Sequence, residues 1–338
     1  MRHARSDLST FIPNSQRGER LDRDIRAGLA NSFRTIFDSL DSGFVVSPPR
    51  VETLLRLIET GPVQPGLFGI YAELVMALFE DRTEDAQVIL DEALGLSPGI
   101  SIALRFVTLD DGDLGQGQAA RYKRLLSEEM PFALVSPLPE AIDKTTELLV
   151  SALNLLKDVI PDLLNELTAI TREVVLISSQ PNSDGISFGG ASVFSLWGAI
   201  ALNTHGIHGR VEAMTMMVHE TAHLYLFGLA MGGRLVVNDD SERYPSPLRP
   251  DLRPMEGVAH ATYVSARIIY VLDRLLSSGR LSESEIILAR QHLQNAQDAY
   301  KAGMATVQKY ARFTAAGSSA FEDLQDYMRQ GKVTAHQE

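Results

Sequence analysis

Apolar residues recur at the helical period through most of the first half of the chain. Ile25, Leu29 and Phe33 begin a stripe of this kind, and similar stripes continue to about Leu96, interrupted by Pro- and Gly-containing segments. This pattern predicts a series of helices. The residues before it, 1–20, are polar and predict a flexible arm.

The segments that follow predict one strand and two helices. Ser101–Leu109 has the composition of a strand, and Ala119–Glu129 that of a short helix. An amphipathic helix is then expected over Ala141–Ile160, continuing to Ile170. We therefore assign residues 21–170 to a mainly helical N-terminal region.

The hydrophobic pattern changes in the second half of the chain. The β-branched run Glu173–Ser178 predicts a strand, Gln180–Gly185 a turn, and Ile186–Asn203 two short strands. A stretch that is apolar on most faces then predicts a buried helix from about Arg210 to Leu229. These elements begin a C-terminal domain, residues 171–338.

A long loop and further helices are predicted for the rest of the chain. Asn238–Pro254 is polar and rich in proline, and long loops in compact domains are often functional. A helix is expected from Pro254 to about Leu276, because proline is favoured in the first helical turn. Ser282–Glu285 has the sequence of a capping box for a helix to about Tyr310.

Composition restricts the classes of function. The 338 residues are 45% hydrophobic and 22% charged, as in ordinary soluble proteins, and the net charge of −12 argues against nucleic acid or an anionic membrane as main partner. The absence of cysteine excludes thiolate zinc sites and iron–sulfur clusters, so metal ligands would be His and carboxylates. No signal segment or membrane-spanning run is evident, and we expect a cytoplasmic protein.

His219-Glu220-Thr221-Ala222-His223 is an HExxH motif inside the predicted buried helix. Residues four apart lie one turn above each other, so both imidazoles can bind one divalent metal ion. Burying these polar groups without such a partner would be costly, and the alternative is a pair of core histidines bonded to the backbone. The predicted fold class is α+β and predominantly helical, with a small β-sheet packed against a zincin-like HExxH helix and a helical N-terminal half.

A catalytic metal site needs a third protein ligand, and the helix after the loop offers Glu256 and His260 on one face. Glu256 would complete a set of two histidines and a glutamate, which suits a zinc peptidase with Glu220 as general base. His260 would complete a three-histidine set, which suits zinc or non-haem iron. His260 is favoured because its neighbours are apolar, whereas a carboxylate in a first helical turn commonly interacts with the helix dipole.

Three arginines, Arg249, Arg253 and Arg267, lie near His260 in sequence. Arg267 follows His260 by seven residues, so it lies two turns along the same helix face. An arginine on a buried stripe needs a carboxylate, which is either an acidic residue of the protein or a small dicarboxylate cosubstrate. The acidic residues considered for an ion pair are Asp251, Glu256 and Asp273.

These residues resemble a known family. HETAH is followed by a Pro- and Arg-rich loop and by SPLRPDLRPMEGVAHATYVSARI, residues 246–268. The combination resembles the HExxH-motif domain associated with gene clusters for ribosomally made, modified peptides. The residues that match the family pattern are Pro247, Arg249, Arg253, Pro254, Gly257 and His260. The resemblance covers roughly residues 172–276, and the N-terminal half carries no such motif.

The resemblance implies an Fe(II)- and 2-oxoglutarate-dependent hydroxylase that acts at β-carbons of precursor-peptide residues. It implies that iron is held by His219, His223 and His260. The residues implied to hold the distal carboxylate of 2-oxoglutarate are Arg253, Arg249 or Arg267. Glu220 would then orient a ligand or the peptide.

Two other functions are compatible with the motif. A zinc metallopeptidase would use Glu220 as base, with Glu256 or His260 as third ligand. A non-enzymatic binding protein would keep a structural metal and bind a peptide partner. The sequence does not indicate the peptide, the modified residue or the oligomeric state.

Overall fold

The computed structural model describes residues 7–96, 103–127, 133–179, 189–249 and 251–334. Within these ranges the helices are α1 (Ser15–Ser39), α2 (Pro48–Thr60), α3 (Pro65–Phe79), α4 (Thr83–Leu94), α5 (Asp111–Leu114), α6 (Gln118–Ser127), α7 (Pro139–Val159), α8 (Pro161–Ile170), α9 (Arg210–Leu229), α10 (Met255–Ser277), α11 (Glu283–Tyr310) and α12 (Ala315–Thr334). The strands are β1 (Arg105–Thr108), β2 (Glu173–Ile177), β3 (Gly190–Ala191) and β4 (Ala199–Asn203). The predicted class, α+β and predominantly helical, is confirmed.

Local sequence signals explain several helix ends. α2 begins at Pro48 and α3 at Pro65. Proline suits the first helical turn, because an N–H group there has no acceptor within the helix and its absence costs no hydrogen bond. The capping box is confirmed: the Ser282 hydroxyl accepts from the Glu285 N–H, and the Glu285 carboxylate accepts from the Ser282 N–H. The helix expected to continue to Ile170 is instead two helices, α7 and α8, because Pro161 cannot donate the bond that would continue α7.

The four strands form one sheet in the order β1-β2-β4-β3. β2 pairs in parallel with β1 and β4, whereas β3 pairs antiparallel with β4. All five residues of β2 and of β4 are buried, as expected for continuous apolar strands at the centre of a mainly parallel sheet. The predicted turn at Gln180–Gly185 lies outside the described residues.

The chain divides into two compact units. Unit 1 comprises residues 1–18, 143–167 and 206–338, and unit 2 comprises residues 19–142 and 168–205. The HExxH helix α9 belongs to unit 1, and the sheet belongs to unit 2. The boundaries expected at residues 20 and 170 differ from this division, and the expected domain organisation stays a prediction.

Each unit has its own core. In unit 2, apolar residues of the sheet, of α6 and of the turn before β4 pack together, among them Val107, Leu125, Val175 and Leu196. In unit 1, α10 packs against α9 and α11. The buried residues of α11 are mostly small, which allows a close helix approach; they are Ala289, Ala296, Ala299, Gly303, Met304 and Val307.

The described part of the predicted flexible arm is packed in unit 1. Phe11 is fully buried, and its ring contacts those of Tyr263 and Tyr270 at centroid distances of 5.5 and 6.1 Å. α1 already begins at Ser15. The expectation of a loose arm is corrected for the described residues up to Gly18, because the buried Phe11 anchors this mainly polar segment. None of the helices in the described ranges has the length and apolar character that crossing a membrane requires.

Candidate metal centre

His219 and His223 lie one turn apart on α9, as predicted. Their Nε2 atoms are 3.3 Å apart. Two nitrogens that each lie about 2.0–2.1 Å from one metal ion are separated by roughly 3 Å, so this spacing suits shared coordination. Both side chains are partly exposed on an otherwise buried helix, which leaves a route for a ligand.

The structure brings His260 of α10 to the same place. Its Nδ1 is 3.0 Å from Nδ1 of His223, and the two rings are nearly parallel at a centroid distance of 5.2 Å. Phe227, one turn after His223, contacts the His260 ring at 5.0 Å. His260 is buried, with 6% of its surface exposed. The three predicted histidines therefore form one cluster.

The central ring, His223, faces its neighbours with different nitrogens. Nε2 is directed to His219 and Nδ1 to His260. As placed, no group of three His, Cys, Asp or Glu side chains in the described part of the chain surrounds one metal position. A half-turn of the His223 ring about Cβ–Cγ would bring Nε2 to the place of Cε1, between the present nitrogens. The donor set therefore fits a metal ion on condition that this ring turns.

Desolvation by the surrounding protein atoms favours the neutral form of His219 and His223. It lowers the pKa of His219 to about 4, and the positive charge of Arg249 acts in the same direction. Burial also lowers the pKa of His223 well below its usual value, assisted by the neighbouring His219 and His260. Metal ions bind the neutral imidazole, so at neutral pH these side chains need not lose a proton before coordination.

Glu256, in the first turn of α10, contacts both the loop and His260. Its carboxylate accepts the N–H groups of Leu235 at 2.9 Å and Val236 at 3.1 Å. The His260 Nε2 lies 3.5 Å from the Glu256 Oε1. Burial opposes the charge of Glu256, but His260 and the backbone donors outweigh it and lower the pKa of this carboxyl. A carboxylate at the far nitrogen of a ligating histidine commonly orients that ring, and this arrangement leaves Nδ1 of His260 facing the cluster.

Glu220 lies beside the first histidine of the motif. Its side chain is buried, and its Oε1 is 4.0 Å from Nε2 of His219. This places a carboxylate close to the nitrogen that would bind a metal. The position is compatible with a general base and with an orienting group.

The three candidate arginines differ in their partners. Arg267 is buried and pairs with Glu166 at 2.7 Å, a residue far away in sequence. The Nε atom of Arg253 lies 2.8 Å from Asp251. Arg249 has no hydrogen bond or ion pair through its side chain with any described residue, and its charge acts on His219. Of the three candidate arginines, Arg249 is therefore the one whose charge acts on the cluster and whose guanidinium has no partner in the described part of the chain.

The loop that carries Arg249 is anchored at its ends. Asn238, which is 1% exposed, donates to the carbonyl of Tyr310 at 3.0 Å and accepts from the N–H of Arg312 at 2.8 Å. Tyr244 and Arg253 exchange two backbone hydrogen bonds, both of 2.9 Å. Sequence patterns gave no signal for Asn238, because an asparagine in a polar loop is usually exposed. The long-range bonds fix the loop at the end of α11.

The chain has no match to any protein-family model, and a sequence comparison with characterised proteins finds no relative. The resemblance to the HExxH-motif domain therefore stays a prediction from its motifs.

Proposed function

We propose that this protein is an Fe(II)- and 2-oxoglutarate-dependent oxygenase that hydroxylates a residue of a ribosomally made precursor peptide at a β-carbon. The observation that carries the proposal is the cluster of His219, His223 and His260 beside Arg249, whose guanidinium has no partner among the described residues. Three imidazoles suit a non-haem iron, and a free guanidinium suits the carboxylate of a small acid. Peptide hydrolysis does not need this cation.

The proposal assigns the binding of iron and of 2-oxoglutarate to different residues. His219, His223 and His260 would hold iron, with Glu256 orienting the last of them. Arg249 would bind the distal carboxylate of 2-oxoglutarate. The bound metal and cosubstrate would supply the oxidising chemistry, in which one oxygen atom of O2 enters the peptide C–H bond and the other enters succinate, with release of CO2.

The test is turnover of purified protein loaded with Fe(II) without oxygen. After addition of 2-oxoglutarate, oxygen and a candidate precursor peptide, we expect succinate and a peptide heavier by one oxygen atom. Succinate formation without peptide is measured as well, since it does not depend on choosing the right peptide. Peptide cleavage with zinc, together with no succinate from the iron-loaded protein, would overturn the proposal.

Matched arginine variants test the assignment of the cosubstrate site. Arg249→Met is expected to weaken 2-oxoglutarate binding by about 10–100-fold, the loss of one charge-assisted contact, without releasing the metal. Arg253→Met removes an arginine of the same loop that is paired with Asp251, and it should bind 2-oxoglutarate almost normally. The reverse ranking would reassign the carboxylate site to Arg253.

A zinc metallopeptidase is the second candidate, and Glu220 is the observation that favours it. Its carboxylate lies 4.0 Å from Nε2 of His219, within reach of a water molecule on a bound metal. Glu220→Gln would lower the rate of a hydrolase by about 10²–10⁴-fold, because the general base is lost. In the proposed oxygenase the same variant keeps most of its succinate production.

A further inference from the structure

A second polar cluster lies in the interior of unit 1, formed by Arg17 of α1, Glu166 of α8 and Arg267 of α10. The three residues are 3%, 3% and 2% exposed. Glu166 accepts from Nε of Arg17 at 2.9 Å and from Nη2 of Arg267 at 2.7 Å. One carboxylate therefore accepts hydrogen bonds from two guanidinium groups, and these three residues together carry a net positive charge. Guanidinium groups carry their positive charge in proteins, so burying two of them needs compensating acceptors.

Two buried donors, one in this cluster and one next to it, have no acceptor among the residues that the structure describes. Nη1 of Arg267 is buried and has no hydrogen-bond partner among the described protein groups. The Tyr263 hydroxyl is buried too and makes no hydrogen bond of acceptable geometry, although Tyr225 is its neighbour. The Tyr225 hydroxyl instead donates to the carbonyl of Leu8 at 2.6 Å. Tyr263 and Arg267 are four residues apart on α10, so their free donors lie on one helix face.

The groups around the cluster offset its charge only in part. The guanidinium of Arg17 lies 4.6 Å from the ring centre of Tyr225, and that of Arg267 lies 5.3 Å from Phe11. Ring faces attract a cation, but they do not accept the in-plane N–H groups of a guanidinium. The charged groups that act on the Tyr263 hydroxyl are Arg267, Arg17 and Glu166. Burial raises the pKa of Tyr263, so the phenol stays a donor.

We propose that a small inorganic anion of the halide class, such as chloride, binds between Nη1 of Arg267 and the hydroxyl of Tyr263. A water molecule could accept both hydrogen bonds, but it would leave the buried positive charge without compensation. An anion does both. Tyr263 and Arg267 follow His260 on α10, and Tyr225 follows His223 on α9, so the anion would stabilise the packing of the two helices that carry the histidines. The inference does not depend on the proposed function.

The direct test is crystallography of the full chain, freed of metal by a chelator and grown in sodium bromide. We expect an anomalous bromide peak within hydrogen-bond distance of Arg267 Nη1 and Tyr263 Oη. Density for water, with no anomalous signal at this position, would overturn the proposal.

Thermal unfolding gives an independent test in solution. At constant ionic strength, replacing gluconate by chloride or bromide should raise the melting temperature of the metal-free wild type by a few degrees. The rise in melting temperature should vanish in Arg267→Met and become smaller in Tyr263→Phe. Tyr263→Phe tests the site even if Arg267→Met does not fold. Arg274→Met, on the same helix, is the matched control and should keep the full rise. An equal rise in all variants would refute the site.

Discussion

Replacing Glu256 tests whether this residue orients His260 or binds the metal itself. Its carboxylate accepts two backbone N–H groups and faces Nε2 of His260 at 3.5 Å. Loss of a partner that orients a ligating histidine typically lowers metal affinity about 10–100-fold, or about 1.4–2.8 kcal/mol. We therefore expect Glu256→Ala to weaken Fe(II) or Co(II) binding by this factor, and Glu256→Gln, which keeps an acceptor oxygen, by less.

The assay is competition with a chromophoric chelator, with His260→Ala as the reference for a lost ligand. Glu242→Gln is the matched control, because Glu242 contacts Asn238 and Tyr244 of the same loop. It should keep wild-type affinity. The argument fails if Glu256→Ala removes the metal as completely as the ligand variant does, since Glu256 would then coordinate. It also fails if Glu256→Ala binds as well as the wild type.

Three further predictions concern unit 1. Glu166→Gln leaves two buried guanidinium groups without a carboxylate, so it should lower the free energy of unfolding in urea by about 3–5 kcal/mol. Glu52→Gln removes an exposed ion pair and should cost less than about 1 kcal/mol. Equal losses in the two variants would refute the buried ion pair. Hydrogen bonds from the arginine that begins α9 lower the pKa of Glu285 to about 2. Its charge thus stabilises the fold above its usual pKa of 4.5, and this contribution is lost as the pH falls towards 2. Urea unfolding should therefore show Glu285→Gln less stable by about 1–2 kcal/mol at pH 7, after allowance for solvent screening, and a gap that persists at pH 2 would contradict this. Gly303→Ala should lower the unfolding free energy by about 1–3 kcal/mol in the same assay, because a Cβ there would collide with the Thr262 hydroxyl oxygen and approach Pro247 to 3.0 Å. A gain in stability, which helix propensity alone predicts, would show that the neighbouring side chains move aside.

Local patterns predicted most of the secondary structure. The bounds of α9 were expected at Arg210 and Leu229, and they are observed there. The capping box at Ser282 was expected and is present. Both depend on residues within one or two helical turns, so neighbouring positions contain the information. The burial of Phe11 has no such local signal, because its ring contacts residues more than two hundred positions away.

The partners of the candidate site were less predictable. Asp251 was considered for an arginine ion pair and lies next to Arg253. Glu166 was not considered for Arg267, because 101 residues separate them. Helix packing determines which acidic residue lies next to a buried arginine, and the spacing of residues along the sequence does not reveal it.

The sequence by itself determined that His219 and His223 share one face, since the helical period fixes residues four apart. It also limited metal ligands to histidine and carboxylate, because the chain has no cysteine. Only the tertiary structure decided that His260 reaches His223, that Glu256 contacts the loop and His260, and that the charge of Arg249 acts on His219. These contacts join separate elements, and their distances follow from how α9, α10 and the loop pack.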